Sequence, residues 1–182
     1  MTTPLNQLEA WLAQEAEQRE RLEAGVGPGV NTLQMIAGKT GMQIMQAILN
    51  GELHYPPIAD TLDFLLIEIG EGRAVFQGQP GNAHLNPMGT IHGGWFATLL
   101  DSAVACAIQT MIPHGRAYTT TELSLNIVRP LTPKVQRVRA EGKVLHCGRQ
   151  LATAQGKLYG PDGALYAHAT TTCFVFEMPS GK

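Results

Sequence analysis

The sequence predicts an α+β fold in which a curved antiparallel sheet of about six strands wraps around one long central helix, preceded by a helical extension. Residues 95–112 contain no Gly or Pro and are apolar on nearly every side, which is typical of a buried helix. Two β-prone stretches precede this helix and four follow it, joined by short turns, and such an order favours antiparallel pairing over alternating βαβ units. Because no other buried helix is available to cover the sheet, the sheet should curl around this one.

The chain is predicted to consist of an N-terminal helical extension, residues 1–57, followed by the sheet domain, residues 58–178. The start of the extension is rich in Glu, Gln and Arg, and its leucines recur with helical spacing. We therefore expect an amphipathic first helix that docks on its own protein or on another copy. The apolar stripe of this helix comprises Leu5, Leu8, Leu12 and Ala16.

Capping and turn residues place the remaining elements. Thr40 and Gln43 have the spacing of a capping box, which predicts a short helix that ends near Asn50. The turn between Gly70 and Gly72 predicts a hairpin of the first two strands. The six strands are expected at residues 62–69, 73–79, 117–128, 135–146, 150–159 and 165–176. The fourth strand should have one hydrated and one buried face, because apolar or small residues alternate with Arg137, Arg139, Glu141 and Lys143.

Composition and charge exclude several classes of function. The formal net charge is −2 with scattered Lys and Arg, whereas nucleic-acid-binding domains usually present a basic face. No apolar run is long enough to span a bilayer and no signal-like segment opens the chain, so we expect a soluble, cytoplasmic protein without a membrane partner. The three cysteines are widely spaced and indicate no disulfide framework, and the six histidines show no close metal-ligand spacing.

Asp101 is the one carboxylate inside the apolar stretch at residues 95–112. An ionised carboxylate that is buried without partners is strongly unfavourable, so its pKa shifts or a partner is present. Ala97 and Ala105, one turn to either side, are small and leave room for a ligand to approach. Asp101 is therefore a candidate site residue, and the alternative is an ordinary hydrogen-bonded carboxylate.

Gly93 and Gly94 stand just before this apolar stretch. Glycines allow a ligand to approach the backbone closely, and the first N–H groups of a helix are unpaired and lie at the positive end of its dipole. Gly93 is therefore a candidate oxyanion donor, with Gly94 as a candidate substrate contact. His92, which precedes them, is either part of the site or a structural residue that caps the turn.

The spacing Asn86-x-x-Gly89-x-x-His92-Gly93-Gly94, followed by Asp101 and by Thr-Glu-Leu at 121–123, resembles the hotdog-fold acyl-CoA thioesterases. The resemblance is to the phenylacetate-degradation and 4-hydroxybenzoyl-CoA thioesterase type, and it covers residues 58–176. It implies a curved sheet around a central helix and dimers joined through their sheets, often assembled into tetramers. It also implies hydrolysis of an acyl-CoA substrate without a metal or other cofactor.

The resemblance further implies roles for individual residues. Asp101 would be the nucleophile or the general base, and the Gly93 N–H would bind the thioester oxygen. Asn86 would position the thioester or the attacking water, and His92 would orient the loop or the substrate. Some members use a hydroxyl on the strand after the helix, for which Thr120 is the best match, with Thr119 and Thr121 as neighbouring alternatives.

Spacing along the helix constrains how these residues can cooperate. Asp101 follows Gly93 by eight residues, which separates the two by roughly 12 Å along the axis at a rise of about 1.5 Å per residue. One helix cannot bring both groups to one carbonyl, so we expect an active site across a two-fold interface, in a dimer or a tetramer. The rival functions are a non-catalytic acyl-CoA sensor and an acyl-thioester dehydratase, although the dehydratase pattern of a His followed by a Pro-rich segment is missing. The sequence does not indicate whether the acyl group is an aryl group or a short, medium or long chain.

Overall fold

The computed structural model describes residues 4–178, so residues 1–3 of the predicted extension lie outside the described part. Its helices are α1 (Pro4–Glu23), α2 (Leu33–Ile36), α3 (Gly41–Leu49), α4 (Ile58–Thr61) and α5 (Gly93–Gln109). Its strands are β1 (Phe64–Gly70), β2 (Arg73–Gly78), β3 (Arg116–Ile127), β4 (Val138–Cys147), β5 (Leu151–Tyr159) and β6 (Leu165–Glu177). A short 3₁₀ turn at Asn82–His84 precedes α5.

The six strands form one antiparallel sheet in the order β1-β2-β4-β5-β6-β3. The fold class predicted from the sequence, an antiparallel sheet curved around one central helix, is confirmed. The hairpin predicted between the first two strands is also present, and Gly72 in its turn has a φ of 65°, in the left-handed region that favours glycine. Strands β1 and β3 are the two edges of the sheet.

Helix α5 packs on the concave face of the sheet, chiefly on β4, β2 and β5. Glycines in these strands let the helix approach closely: a Cβ added at Gly142 would lie 2.2 Å from the carbonyl oxygen of Ala103. This close packing of backbone on backbone sets the distance between α5 and the sheet. The buried side chains that fill this interface include Trp95, Phe96, Leu99, Leu100, Ala103, Val104, Ala107 and Ile108.

The ends of α5 differ from the predicted helix at residues 95–112. The helix begins at Gly93, two residues earlier, because the side chain of His92 caps its first turn. It ends at Gln109, and the chain then turns ahead of Pro113, which disfavours helical backbone in the residue that precedes it.

The prediction that α5 is buried on every side is wrong for the single chain. The sheet covers one side of the helix, and Asp101 and Ser102 are only half-buried on the other. The two residues also point to opposite edges of the sheet: Asp101 contacts the edge strand β3, whereas Ser102 lies in a cavity against β1. The apolar pattern of the helix therefore includes a surface that no element of the described chain covers completely.

Helix α1 docks on its own chain, but not through the predicted leucine stripe. Leu5 of that stripe is 73% exposed. Glu15 is buried instead, because it accepts hydrogen bonds from Gln77 of β2 and from Arg137, which precedes β4. The residues of α1 that are buried are Trp11, Glu15, Gln18 and Leu22. The helix thus docks by a mixed face, in which two apolar side chains accompany two polar ones that bond to residues distant in the sequence.

The face of β4 that was expected to be hydrated is therefore partly covered. Arg139 is only 6% exposed, because α1 lies over it. Its guanidinium donates to Gln77 Oε1 at 2.8 Å and lies 4.5 Å from the centre of the Trp11 ring. The predicted alternation of residues in β4 is present, but the outer face is covered near Arg139 and exposed at Lys143.

The predicted capping box of α3 is confirmed. The Thr40 hydroxyl accepts from the Gln43 N–H, and the Gln43 side chain accepts from the Thr40 N–H. The helix ends at Leu49, and the N–H of Gly41 donates to Ile112 O at 2.8 Å, which fixes α3 against the chain that follows α5. The extension therefore packs directly beside the central helix.

Candidate active site

Asn86 organises the loop that leads into α5. Its Oδ1 accepts the N–H groups of Met88 and Thr90, and its Nδ2 donates to the Thr90 hydroxyl at 2.8 Å. Gly89 in the same turn has a φ of 81°, which a residue with a side chain adopts only under strain. The predicted site residue Asn86 is thus held in one orientation, with one amide hydrogen left beyond the bond to Thr90.

His92 is the N-cap of α5, and its Nδ1 accepts the N–H of Gly94 at 2.9 Å. The neutral imidazole then carries its proton on Nε2, on an exposed ring. The N–H of Gly94 is occupied by this bond, whereas Gly93 is the first residue of the helix, where N–H groups have no intrahelical acceptor. Of the two glycines, Gly93 is the one suited to donate to a ligand.

An open cleft lies beside the start of α5. Gly93 and Asn86, both of them predicted site residues, line it together. The sequence did not single out Thr90, which orients Asn86, although its place inside the motif was visible. Arg129 gives the cleft a positive charge and also lies 5.9 Å from the centre of the Tyr166 ring. The lining residues are Asn86, Thr90, Ile91, Gly93, Phe96, Ile127, Val128, Arg129 and Pro130.

Asp101 lies elsewhere on α5, where its Oδ1 accepts a hydrogen bond from the Thr120 hydroxyl at 3.3 Å. Burial raises the pKa of Asp101 above its ordinary value, and the bond from Thr120 opposes this rise. The carboxylate is thus a stronger proton acceptor than an exposed aspartate, and it is still half accessible.

Thr120 is the member of its threonine run that touches the carboxylate. The register between β3 and β6 shifts between Thr120 and Glu122, so the strand bulges at this point. Thr121 is exposed and its hydroxyl donates to Thr172 O at 2.9 Å. Of the three neighbouring threonines, Thr120 is thus the one that lies beside Asp101.

The structure separates the site residues into two groups. Asn86 and Gly93 share the cleft at the start of α5, whereas Asp101 and Thr120 meet two turns further along the same helix. Asp101 is not among the residues that line the cleft. Within one chain the two groups of predicted site residues are therefore apart.

The described residues give less support to a cysteine nucleophile or to a metal site. Burial raises the pKa of the Cys106 thiol to about 12, so this side chain stays protonated and is a poor nucleophile near neutral pH. Among residues 4–178, no three His, Cys, Asp or Glu side chains are grouped to hold a metal ion. Within the same residues, no helix is both long and apolar enough to cross a membrane.

Comparisons with known proteins indicate the family of the chain. A family model described as the thioesterase superfamily matches residues 88–167, which include the glycine turn, Asp101 and Thr120. None of the curated proteins matches the chain.

Three solved structures are similar. A mutant of the phenylacetic acid degradation protein PaaI from Thermus thermophilus is 30% identical, with a TM-score of 0.58, over 65% of this chain and 97% of that chain. A putative thioesterase related to phenylacetic acid degradation from Ralstonia eutropha is 28% identical, with a TM-score of 0.65, over 71% and 97% of the two chains. A thioesterase family protein from Silicibacter pomeroyi is 26% identical, with a TM-score of 0.62, over 67% and 90%. With its hotdog fold and these relatives, the chain belongs to the thioesterase superfamily, and thioester hydrolysis is the activity that this membership supports.

Proposed function

We propose that the protein hydrolyses an acyl-CoA thioester at a site built from two subunits. The observation that carries the proposal is the division of the site along one helix, with the Gly93 cleft at its start and Asp101 two turns later. A two-fold axis that aligns two copies of α5 in opposite directions would place Asp101 of one chain opposite Gly93 of the other. The protein acts as a dimer or a tetramer.

The edge strand β3 supports this arrangement. It pairs with β6 on one side only, and most of its residues are exposed or half-exposed in the single chain. An exposed sheet edge offers unpaired backbone groups to a second copy. Because β3 also carries Thr120, pairing through this edge brings the partner close to Asp101.

The Gly93 N–H would donate to the thioester oxygen and stabilise the negative charge that develops there. In the nucleophilic route, a carboxylate oxygen of Asp101 bonds to the acyl carbon, the C–S bond breaks, and CoA leaves as a thiolate that takes a proton from solvent. Water then cleaves the mixed anhydride and restores the carboxylate. In the general-base route, Asp101 takes a proton from water as that water attacks the same carbon; the C–S bond then breaks, and the CoA thiolate leaves with the proton that Asp101 returns. Asn86 would position the thioester or the water in either route.

The residues around these groups have defined tasks in this proposal. His92 holds the glycine turn through Nδ1 and has the Nε2 proton to offer to the substrate. Gly94, which has no side chain, lets the substrate approach the backbone closely, and Thr120 orients the Asp101 carboxylate. No metal or other cofactor takes part. The three free cysteines fit a protein of the cytoplasm.

Two single variants and their mixture test the shared site. Asp101→Asn removes the base or nucleophile, and we expect a loss of about 10²- to 10⁴-fold in kcat. Gly93→Pro removes the N–H donor while keeping the helix, because proline is favoured at the first helical position and His92 already has extended backbone. We expect this variant to lose about 10²- to 10³-fold.

Subunits of the two inactive variants, unfolded and refolded together, should regain activity. Each mixed dimer has one intact site, so a statistical mixture should recover about a quarter of the wild-type rate. Thiol release from an acyl-CoA panel is the readout. Absence of recovery in proven mixed dimers would refute the two-chain site, and equal activity of Asp101→Asn and wild type would refute the role of Asp101. Tight binding of acyl-CoA with no turnover by wild type would favour the sensor alternative.

A further inference from the structure

An apolar cavity lies between the N-terminal extension and the sheet domain, on the side of α5 away from Asp101. The sheet domain contributes Leu65, Leu66, Phe76, Ser102 and Cys106. The extension and its junction contribute Gln18, Leu22, Met45, Ile48, Tyr55, Pro56 and Ala59. The family model begins at residue 88, so the residues that the extension contributes to the cavity wall lie outside the matched region.

The few polar groups on the cavity wall are already bonded to the protein. The Ser102 hydroxyl donates to Thr98 O at 2.8 Å, and the Gln18 amide donates to Leu49 O at 2.7 Å. The Tyr55 hydroxyl donates to Asp60 Oδ2 at 3.3 Å. The hydroxyl hydrogens of Ser102 and Tyr55 are thus committed, and a polar group placed in the cavity would lose more hydrogen bonds to water than it could regain, which is unfavourable. The cavity suits a hydrocarbon.

The position of the cavity relative to Asp101 sets which part of a substrate can reach it. Asp101 faces β3 and Ser102 lines the cavity near β1, so the two are about 100° apart around α5. On a helix about 11 Å across with its side chains, this arc is roughly 10 Å long. Around the helix Ala105 lies between the two, and its side chain is short and only 8% exposed.

That distance corresponds to a medium-length acyl chain. A fully extended peptide advances about 3.6 Å per residue, which is about 1.2 Å for each of its three backbone bonds. An extended hydrocarbon chain advances by a similar length per bond, so roughly eight bonds span the arc. The cavity itself has a volume of about 70 Å³. An engineered apolar cavity that holds benzene has about 150 Å³, so this one fits the last carbons of a slender chain rather than a ring.

We propose that the cavity receives the end of a straight, medium-chain hydrocarbon acyl group, of about ten to twelve carbons, whose thioester is cleaved at Asp101 of the same subunit. Ile48 and Met45 of α3 close the cavity and set the permitted chain length. The inference rests on the acyl-CoA thioesterase function proposed above. It makes the N-terminal extension a determinant of substrate length.

Ile48 is the position to change, because it lines the cavity and is only partly buried, so its replacement disturbs the core less than that of Met45. Ile44, one turn earlier on α3 and outside the cavity lining, is the matched control. The variants are Ile48→Phe, Ile48→Ala, Ile44→Phe and Ile44→Ala in the full chain, with Ile48→Val in reserve where a larger change prevents folding. The measurement is kcat/KM for acyl-CoA substrates from butyryl to hexadecanoyl.

Wild type should prefer decanoyl- and dodecanoyl-CoA, and a hydroxyl on the last carbon should lower kcat/KM by about tenfold or more, because that hydroxyl would lose its hydration in an apolar cavity. Ile48→Phe should lower decanoyl-CoA hydrolysis by about tenfold and leave butyryl-CoA unchanged, since a short chain does not reach the cavity. Ile48→Ala should move the optimum to longer chains, and both Ile44 variants should keep the wild-type profile.

The outcomes separate this proposal from the proposed function. The cavity assignment alone is overturned by the following result: the Ile48 variants keep the wild-type chain-length profile, as the Ile44 variants should, and activity still depends on Asp101. A wild-type optimum at butyryl- or aryl-CoA also overturns it. Failure of wild type to hydrolyse any acyl-CoA overturns both.

Discussion

Glu15 holds the N-terminal helix on the sheet, and its replacement by alanine should destabilise the protein. The carboxylate accepts from Arg137 Nε at 2.5 Å and Arg137 Nη2 at 3.3 Å, from Gln77 Nε2 at 2.7 Å and from Arg19 Nε at 2.9 Å. The side chains of Glu15 and Arg137 are only 5% and 15% exposed. Removing one partner of such a pair leaves the other charge poorly hydrated.

The cost can be estimated contact by contact. The forked pair with Arg137 is charge-assisted and mostly buried, and breaking such a pair costs about 3–5 kcal/mol. The bond from Arg19 adds about 0.5 kcal/mol at most, because that side chain is 43% exposed. Gln77 keeps a second acceptor, Trp11 O at 3.2 Å, so it loses little. We expect Glu15→Ala to lower the free energy of unfolding by about 4 kcal/mol.

Urea unfolding at fixed protein concentration is the assay, because oligomer stability depends on concentration. Glu17→Ala is the matched control on the same helix, where the side chain is exposed, and should change stability by less than about 0.5 kcal/mol. Burial raises the pKa of Glu15, but hydrogen bonds from Arg137, Arg19 and Gln77 outweigh it and hold the pKa below its ordinary value. The stabilisation is therefore complete above the ordinary glutamate pKa and is lost as pH falls through the lowered one. A loss below about 1 kcal/mol near neutral pH would refute the reasoning.

Three further predictions concern α5 and its site. Gly142→Ala should cost about 3 kcal/mol or more in urea unfolding, since its Cβ would meet the backbone of α5 at 2.2 Å; Gly156→Ala should cost less, because its Cβ meets a side-chain methyl at 2.7 Å. Equal costs would contradict this order. Asp101→Asn should raise the melting temperature near neutral pH, because the raised pKa means that ionised Asp101 destabilises the fold, and the gain should vanish below the ordinary aspartate pKa. A gain that persists in acid would count against this cause. Thr120→Val should move the acid limb of the kcat/KM profile to higher pH, because the lost hydrogen bond had lowered the pKa of Asp101, and an unmoved limb would argue against the contact.

Local signals in the sequence predicted local structure well. The capping box of Thr40 and Gln43, the hairpin at Gly72 and the glycine turn at the start of α5 each depend on residues within a few positions of one another. The antiparallel sheet followed from the short turns between strands. Asn86 and Gly93, which belong to one motif of nearby residues, line the same cleft, whereas their roles stay a prediction.

The errors arose where distant partners decide burial. The leucine stripe of α1 gave way to a face centred on Glu15, because Gln77 and Arg137 lie 62 and 122 residues further along the chain and no local pattern reveals them. The expectation of all-round burial for α5 failed because a sheet covers one side of a helix only. The side of α5 that carries Asp101 is left half-exposed in the single chain.

In the proposed enzyme, catalysis and chain-length selection lie on different sides of α5 and should change independently. Asp101 is bonded to Thr120 on the β3 edge, whereas Ile48 lies across the helix in the cavity beside β1. Substitutions at Ile48 should therefore alter the preferred acyl length without moving the acid limb of the pH profile, and Thr120→Val should do the reverse. A shift of the acid limb in Ile48→Phe, measured on butyryl-CoA, would show that the two sides are coupled and that the extension acts on the carboxylate itself.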